Sequence, residues 1–140
     1  MMHLRLDENN IDELLELVNG KYPLTKEIAR SICVGTNPIN PCTQVYGVYE
    51  ENELVSIMTA TYCIVFPHKD GTRIVHISGA YTKDNFRHRG YASTLLKVIE
   101  KDARDYFHAD YICCDSTANE LYKKNGFQEA DETRLWKQLS

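Results

Sequence analysis

Seven consecutive residues, Arg87, His88, Arg89, Gly90, Tyr91, Ala92 and Ser93, have the types and order that suit a bound anion. The first amides of a helix have no partners within it, and with the helix dipole they favour negative charge. Gly90 lacks a β-carbon, so a ligand can come close to the backbone there, and the small Ala92 keeps the first turn open. Arg87, Arg89, Lys83 and His88 put cationic side chains around the turn in a chain whose formal net charge is −4. A phosphate or diphosphate is the natural guest. The same residues would also serve an ordinary strand-to-helix connection with a solvated basic surface, because short glycine motifs match by chance.

The elements around this turn can be read from periodicity. Ile74, Val75, His76, Ile77, Ser78, Gly79, Ala80, Tyr81 and Thr82 are rich in β-branched residues and predict a strand, ended by the polar Lys83, Asp84 and Asn85. Ala92, Leu95, Leu96, Ile99, Ala103 and Tyr106 recur at helical spacing and predict a helix from Gly90 to about Phe107 with one buried face. Upstream, a strand around His3 to Leu6 leads to Asn10 as the cap of a helix carrying Ile11, Leu14, Leu15 and Val18, with Glu13 placed for a capping box and Gly20 as its stop. A second helix starts after Leu24 or Thr25, turns Ile28, Ala29 and Ile32 inward and ends near Gly35. The stretch from Thr36 to Cys42, with Pro38 and Pro41, reads as a loop.

Strands from Gln44 to Tyr49 and from Leu54 to Phe66 form a hairpin through Glu50 to Glu53, and Asp70 and Gly71 turn the chain once more. Beyond the long helix come a strand near Tyr111 to Cys114, a short helix from about Ser116 to Asn125, and strands around Phe127 to Ala130 and Arg134 to Leu139. The strand, helix, strand unit spanning the basic turn needs a crossover, so those two strands should be parallel while the earlier ones form an antiparallel meander. The expected fold class is α+β, a mixed α/β sandwich with helices covering the sheet.

At 140 residues, 43% hydrophobic and 26% charged, with 7 Gly and 4 Pro, the chain is expected to form one domain over residues 1–140. Its first ten residues carry no apolar run resembling a secretion signal, and no segment is apolar enough to cross a bilayer, so the expected location is the cytoplasm, with no membrane partner. Five cysteines, Cys33, Cys42, Cys63, Cys113 and Cys114, lack paired spacing, which points to neither a disulfide framework nor a metal site. The vicinal Cys113 and Cys114 in a strand read as core filler. Net acidity with one small basic patch argues against a nucleic-acid partner.

Two motifs read together resemble the GNAT superfamily of N-acetyltransferases. Its phosphate-binding pattern, Gln or Arg, two residues, Gly, one residue, then Gly or Ala, matches Arg87, His88, Arg89, Gly90, Tyr91, Ala92. Some thirty residues on, Asp115, Ser116, Thr117, Ala118, Asn119, Glu120, Leu121, Tyr122, Lys123, Lys124, Asn125, Gly126, Phe127 follows the family's second pattern, with Asp115 where Asn is usual. The resemblance extends to the order of elements over nearly the whole chain. It implies a GNAT-like, largely antiparallel central sheet with one parallel strand pair around the cofactor.

The resemblance further implies that acetyl coenzyme A, as cosubstrate, lays its diphosphate against the amides of His88 to Ser93, with Arg87 and Arg89 adding charge-assisted contacts. Its pantetheine arm would run beside the backbone of Ala80, Tyr81 and Thr82, where a strand amide can polarise the thioester carbonyl. Gly79 would mark a bulge splaying that strand from the next, or else simply pack closely. Tyr122 matches the tyrosine that protonates the departing thiolate; a phenol of pKa about 10 stays protonated near neutrality, while a thiolate with a conjugate acid near 8.5 accepts from it.

The acceptor implied is a small-molecule or peptide amine, attacking directly and neutral. For a lysine-like amine that requirement costs about 4.6 kcal/mol at pH 7, against about 1.1 for an α-amine. His76, Asp110, Asp115 and Glu120 are candidate bases, and none is singled out by its context. A noncatalytic acyl-coenzyme A sensor is the alternative of another class, whereas a Walker-type nucleotide site is disfavoured because no Gly-Lys-Ser or Gly-Lys-Thr follows. Oligomeric state is open, a homodimer included.

Overall fold

A computed structural model describes residues 2–34, 43–68, 71–115, 119–129 and 134–139. Among them, seven strands, β1 (Met2–Arg5), β2 (Thr43–Glu50), β3 (Glu53–His68), β4 (Gly71–Thr82), β5 (Tyr111–Asp115), β6 (Gln128–Glu129) and β7 (Arg134–Gln138), form one sheet in the order β1-β2-β3-β4-β5-β7-β6. Neighbouring pairs are antiparallel except β4 and β5, which run parallel in register from Ile74↔Tyr111 to Ile77↔Cys114. The mixed, largely antiparallel sheet expected from the crossover is therefore what the chain adopts. The β2–β3 hairpin closes through Glu51 and Asn52, both with positive φ, the twist that suits a two-residue hairpin turn.

Helices cover both faces of the sheet. On one lies α3 (Tyr91–Asp102), which buries Leu95, Leu96 and Ile99 completely against Tyr46, Val48, Met58, Val75, Ile77 and Ile112. On the other, α1 (Ile11–Leu17) and α2 (Lys26–Val34) enclose Leu6, Ile11, Leu14, Val18, Ala29, Val45, Leu54 and Ile57. A short α4 (Asn119–Lys124) follows β5. Cys114 is buried in the α3-side core, as the filler reading expects, whereas Cys113 is only partly buried.

Local readings shift at three places. The N-terminal helical segment begins one turn early: Asp7, not Asn10, is the cap, its Oδ1 accepting from the Asn9 amide at 2.8 Å, while Asn10 Oδ1 accepts from the Asp7 amide at 3.0 Å. Glu13 instead receives the Tyr49 hydroxyl at 2.9 Å. In α2 Ala29 and Cys33 are buried with Ile32 partly covered beside them, and Ile28 is 48% exposed. Past Asp102 the long helix widens into a π-type turn, Ala103–Phe107. The extra residue rotates the stripe, so Phe107 meets Tyr62 edge-on and Tyr106 is 79% exposed. The expected loop from Thr36 to Cys42, the turn residue Asp70 and the helix start at Ser116 lie outside the described residues.

Candidate active site

The site begins where β4 parts from β5. Their ladder is described as far as Ile77↔Cys114. Two residues on, β4 takes an extra residue relative to β3: Ile57 pairs with Tyr81 and Thr59 with Ser78, so three steps on β4 face two on β3. Gly79, at φ +57°, sits within this bulge, and a β-carbon there would stand 3.2 Å from Thr59 Oγ1. Both the backbone angle and the close approach select glycine. Beyond it, Gly79 to Thr82 line an open cleft of about 1020 Å³, roomy enough for a nucleotide-sized molecule.

After β4 the chain bends through Asp84–Phe86 into the basic turn. His88 adopts φ +64° and Gly90 φ +83°. A left-handed histidine is uncommon, and such conformations gather at sites that need them. A β-carbon on Gly90 would meet nothing within 4 Å, so the glycine serves its backbone angle and leaves the space before it to the cleft. The Gly90 carbonyl accepts from the Thr94 amide at 2.9 Å and the Thr94 hydroxyl at 3.0 Å. The amides of Tyr91, Ala92 and Ser93 have no backbone acceptor among the described residues. Three donors, reinforced by the helix dipole, thus open on a cleft.

Tyr122 is set by its own segment. The amide of Phe127 donates to the Tyr122 carbonyl and that of Gly126 to the Lys123 carbonyl, both at 3.0 Å, with Gly126 at φ +91°. This is a Schellman cap, completed by the edge-on contact of the Tyr122 and Phe127 rings at 5.3 Å. The spacing Tyr122, Lys123, Lys124, Asn125, Gly126, Phe127 encodes a helix stop that fixes the tyrosine. Its ring is 4% exposed, yet it lines the cleft. Burial first, then Cys114 and Tyr22, push its phenol up to about 12. No described residue is hydrogen-bonded to the hydroxyl.

The remaining sequence candidates divide. Ala80, Tyr81, Thr82, Arg87, His88, Gly90, Tyr91, Ala92 and Ser93 line the same cleft. Arg87 is oriented by its own neighbours, donating to the Thr82 carbonyl at 3.2 Å, pairing with Asp84 at 3.1 Å and lying over Tyr81. Arg89 turns away: its guanidinium sits 4.9 Å above the Phe86 ring, in a separate depression with Glu50, Glu51 and Glu53. Of the four candidate bases, Glu120 lines the cleft. His76 pairs within the ladder, opposite Thr61 and Cys113. Asp110 accepts the Arg73 amide at 3.0 Å where β4 meets β5. The Asp115 side chain lies outside the described residues.

Three residues escaped the sequence reading. Tyr22, from the α1–α2 connection, donates to the Ala80 carbonyl at 3.0 Å, meets the Tyr81 ring edge-on and lines the cleft. Asn125 joins α4 to α3, and Lys137 donates to the Asn125 carbonyl at 2.7 Å. Lys137 had a visible signal, a cation two residues from Leu139 in a stretch that reads as a strand.

The model of the acetyltransferase (GNAT) domain matches residues 41–129. No curated protein sequence matches. Among solved structures, a predicted acetyltransferase with acetyl-CoA from Clostridium acetobutylicum is similar at 20% identity, with 94% of this chain and 92% of that one covered and a TM-score of 0.75. Arabidopsis thaliana NAA60 in complex with a bisubstrate analogue is similar at 12% identity, with 99% of each chain covered and a TM-score of 0.77. The aminoglycoside 6'-N-acetyltransferase AAC(6')-IG of Acinetobacter haemolyticus shares 17% identity over 95% and 94% of the two chains, with a TM-score of 0.74.

Proposed function

Because the chain belongs to the GNAT acetyltransferase family, we propose that it moves the acetyl group of acetyl coenzyme A to a primary amine by direct attack, with the cleft between β4 and α4 as its active site. The reading rests above all on one arrangement: the amides of Tyr91, Ala92 and Ser93, without backbone acceptors among the described residues, open on the same cleft as the Tyr122 side chain. Those amides and the Arg87 guanidinium hold the diphosphate. The backbone of Ala80 to Thr82, past the end of the β4–β5 ladder, holds the arm that carries the thioester.

In the reaction the amine nitrogen bonds to the thioester carbon, its proton leaves, and the carbon–sulfur bond breaks as the thiolate departs. With its pKa near 12, Tyr122 keeps its proton throughout the working range. Full transfer is uphill for as long as the phenol's pKa stays above that of the coenzyme A thiol. Tyr122 therefore acts by hydrogen-bonding the developing thiolate, and the proton that neutralises it comes from the amine. Glu120 is the first base to test, since it lines the cleft where His76 and Asp110 do not.

Fold likeness leaves the acceptor open, because the similar structures include an enzyme named for an aminoglycoside alongside NAA60. The test is calorimetric titration with coenzyme A and with ATP, followed by a thiol-release screen over amine classes. Binding of coenzyme A and not ATP, with turnover of at least one amine, supports the proposal. A protein that ignores coenzyme A overturns it, and one that binds it but turns over no amine is a sensor.

A further inference from the structure

The two halves of the candidate site are physically joined, and the joint is a side chain with no assigned role. Asn125 Nδ2 lies 2.8 Å from the Leu121 carbonyl and 3.3 Å from Ser93 Oγ. A carbonyl only accepts, so the contact to Leu121 fixes this atom as the amide nitrogen. Ser93 Oγ must then accept from Asn125, which leaves its own hydroxyl proton to be given elsewhere. Ser93 stands in the first turn of α3 and lines the cleft. Asn125 is itself held from behind: Lys137 donates to its carbonyl and pairs at 2.6 Å with Glu100, a buried carboxylate of α3.

We propose that Asn125 is a positioning residue: by donating to Ser93 it turns the Ser93 hydroxyl proton toward the bound diphosphate, and it keeps the Tyr122 helix in register with that turn. The assignment rests on the coenzyme A reading above. It adds a fourth donor to the three amides and couples the anion end of the cleft to the residue that faces the leaving thiolate.

The test is a double-mutant cycle read by calorimetric titration of coenzyme A into the full chain, with no acceptor needed. Asn125→Ala is expected to raise the coenzyme A Kd about fivefold, ~1 kcal/mol, the scale of one ordinary hydrogen bond. In the Ser93→Ala background the same change is expected to have almost no effect, because the proton it orients is gone. Equal losses in both backgrounds would reduce Asn125 to a helix cap and overturn the proposal, as would an unchanged Kd in the first. Should thermal melting show that Asn125→Ala does not fold, Asn125→Asp keeps the shape but accepts the Ser93 proton itself. Its loss must then shrink when Ser93 is alanine, and a loss of equal size sinks the assignment. A wild-type chain that fails to bind coenzyme A overturns the function itself, whereas wild-type binding with an additive cycle overturns this inference alone.

Discussion

The two ends of α3 handle their polar groups in opposite ways. At its start, Gly90 is left-handed, the amides of Tyr91 to Ser93 lack backbone acceptors among the described residues, and the space in front of them is open. At its end, Asp102 accepts the Tyr46 hydroxyl at 2.8 Å, Tyr46 meets the Tyr62 hydroxyl at 2.5 Å, the Phe107 carbonyl receives Arg73, and the Ala109 amide returns to Ala103. One helix therefore has a closed end and an unfinished one. The first amides of any helix lack partners within it, and those of Tyr91, Ala92 and Ser93 front an open cleft.

Four tests break or sharpen that contrast. The largest effect is expected from Gly90→Glu, which sets a carboxylate and a strained left-handed residue before the open amides; the coenzyme A Kd should rise about a hundredfold or more. Calorimetry on the folded variant checks this, and unchanged affinity would mean the open end holds no anion. Next, Tyr122→Phe should cut the rate of thiol release about a hundredfold with cofactor affinity retained. Steady-state kinetics with an accepted amine decide it, and an unaltered rate would make the ring mere packing.

Alkali should act on the buried groups of the closed end. Burial, with help from Tyr62 and Asp102, pushes the Tyr46 phenol well above its ordinary range, and on the opposite face of the sheet burial with Asp7 pushes the Cys33 thiol up to about 11. The unfolded chain then loses these protons first, near pH 9 for the thiol and 10 for the phenols, while the folded chain retains them. Stability is therefore full below about pH 9 and falls with rising pH by about 1.4 kcal/mol per unit for each such group. Urea midpoints measured from pH 7 to 11 check the sign, and Tyr46→Phe should flatten the fall. The smallest effect separates the two arginines. Arg87→Ala should weaken coenzyme A about threefold and Arg89→Ala hardly at all, since only the first faces the cleft; equal losses in a titration would restore Arg89 to the site.

Much of this was legible in the chain. The β-branched run, the glycine and the apolar stripe of Leu95, Leu96 and Ile99 specify strand, turn and helix locally, and a parallel pair follows because a crossover needs it. The segment from Tyr122 to Phe127 carries its own helix stop. What could not be read depends on distant partners. Arg89 turns toward Phe86 and the acidic hairpin through tertiary packing, not spacing. Tyr22 reaches Ala80 across 58 positions from a connection with no periodicity. Tyr106 lost its place in the stripe to a single extra residue in a turn, which no apolar pattern announces.

The spare residue near Gly79 reverses the parity of β4. Before it, Val75 and Ile77 pack toward α3; after it, Ala80 takes that side and Tyr81 the opposite one, beside Tyr22. Without that inserted step the alternation would carry the large phenol under α3 and the methyl group out to the loop. A shortened strand would thus exchange the two walls of the cleft at a stroke, although no residue facing it had changed its identity.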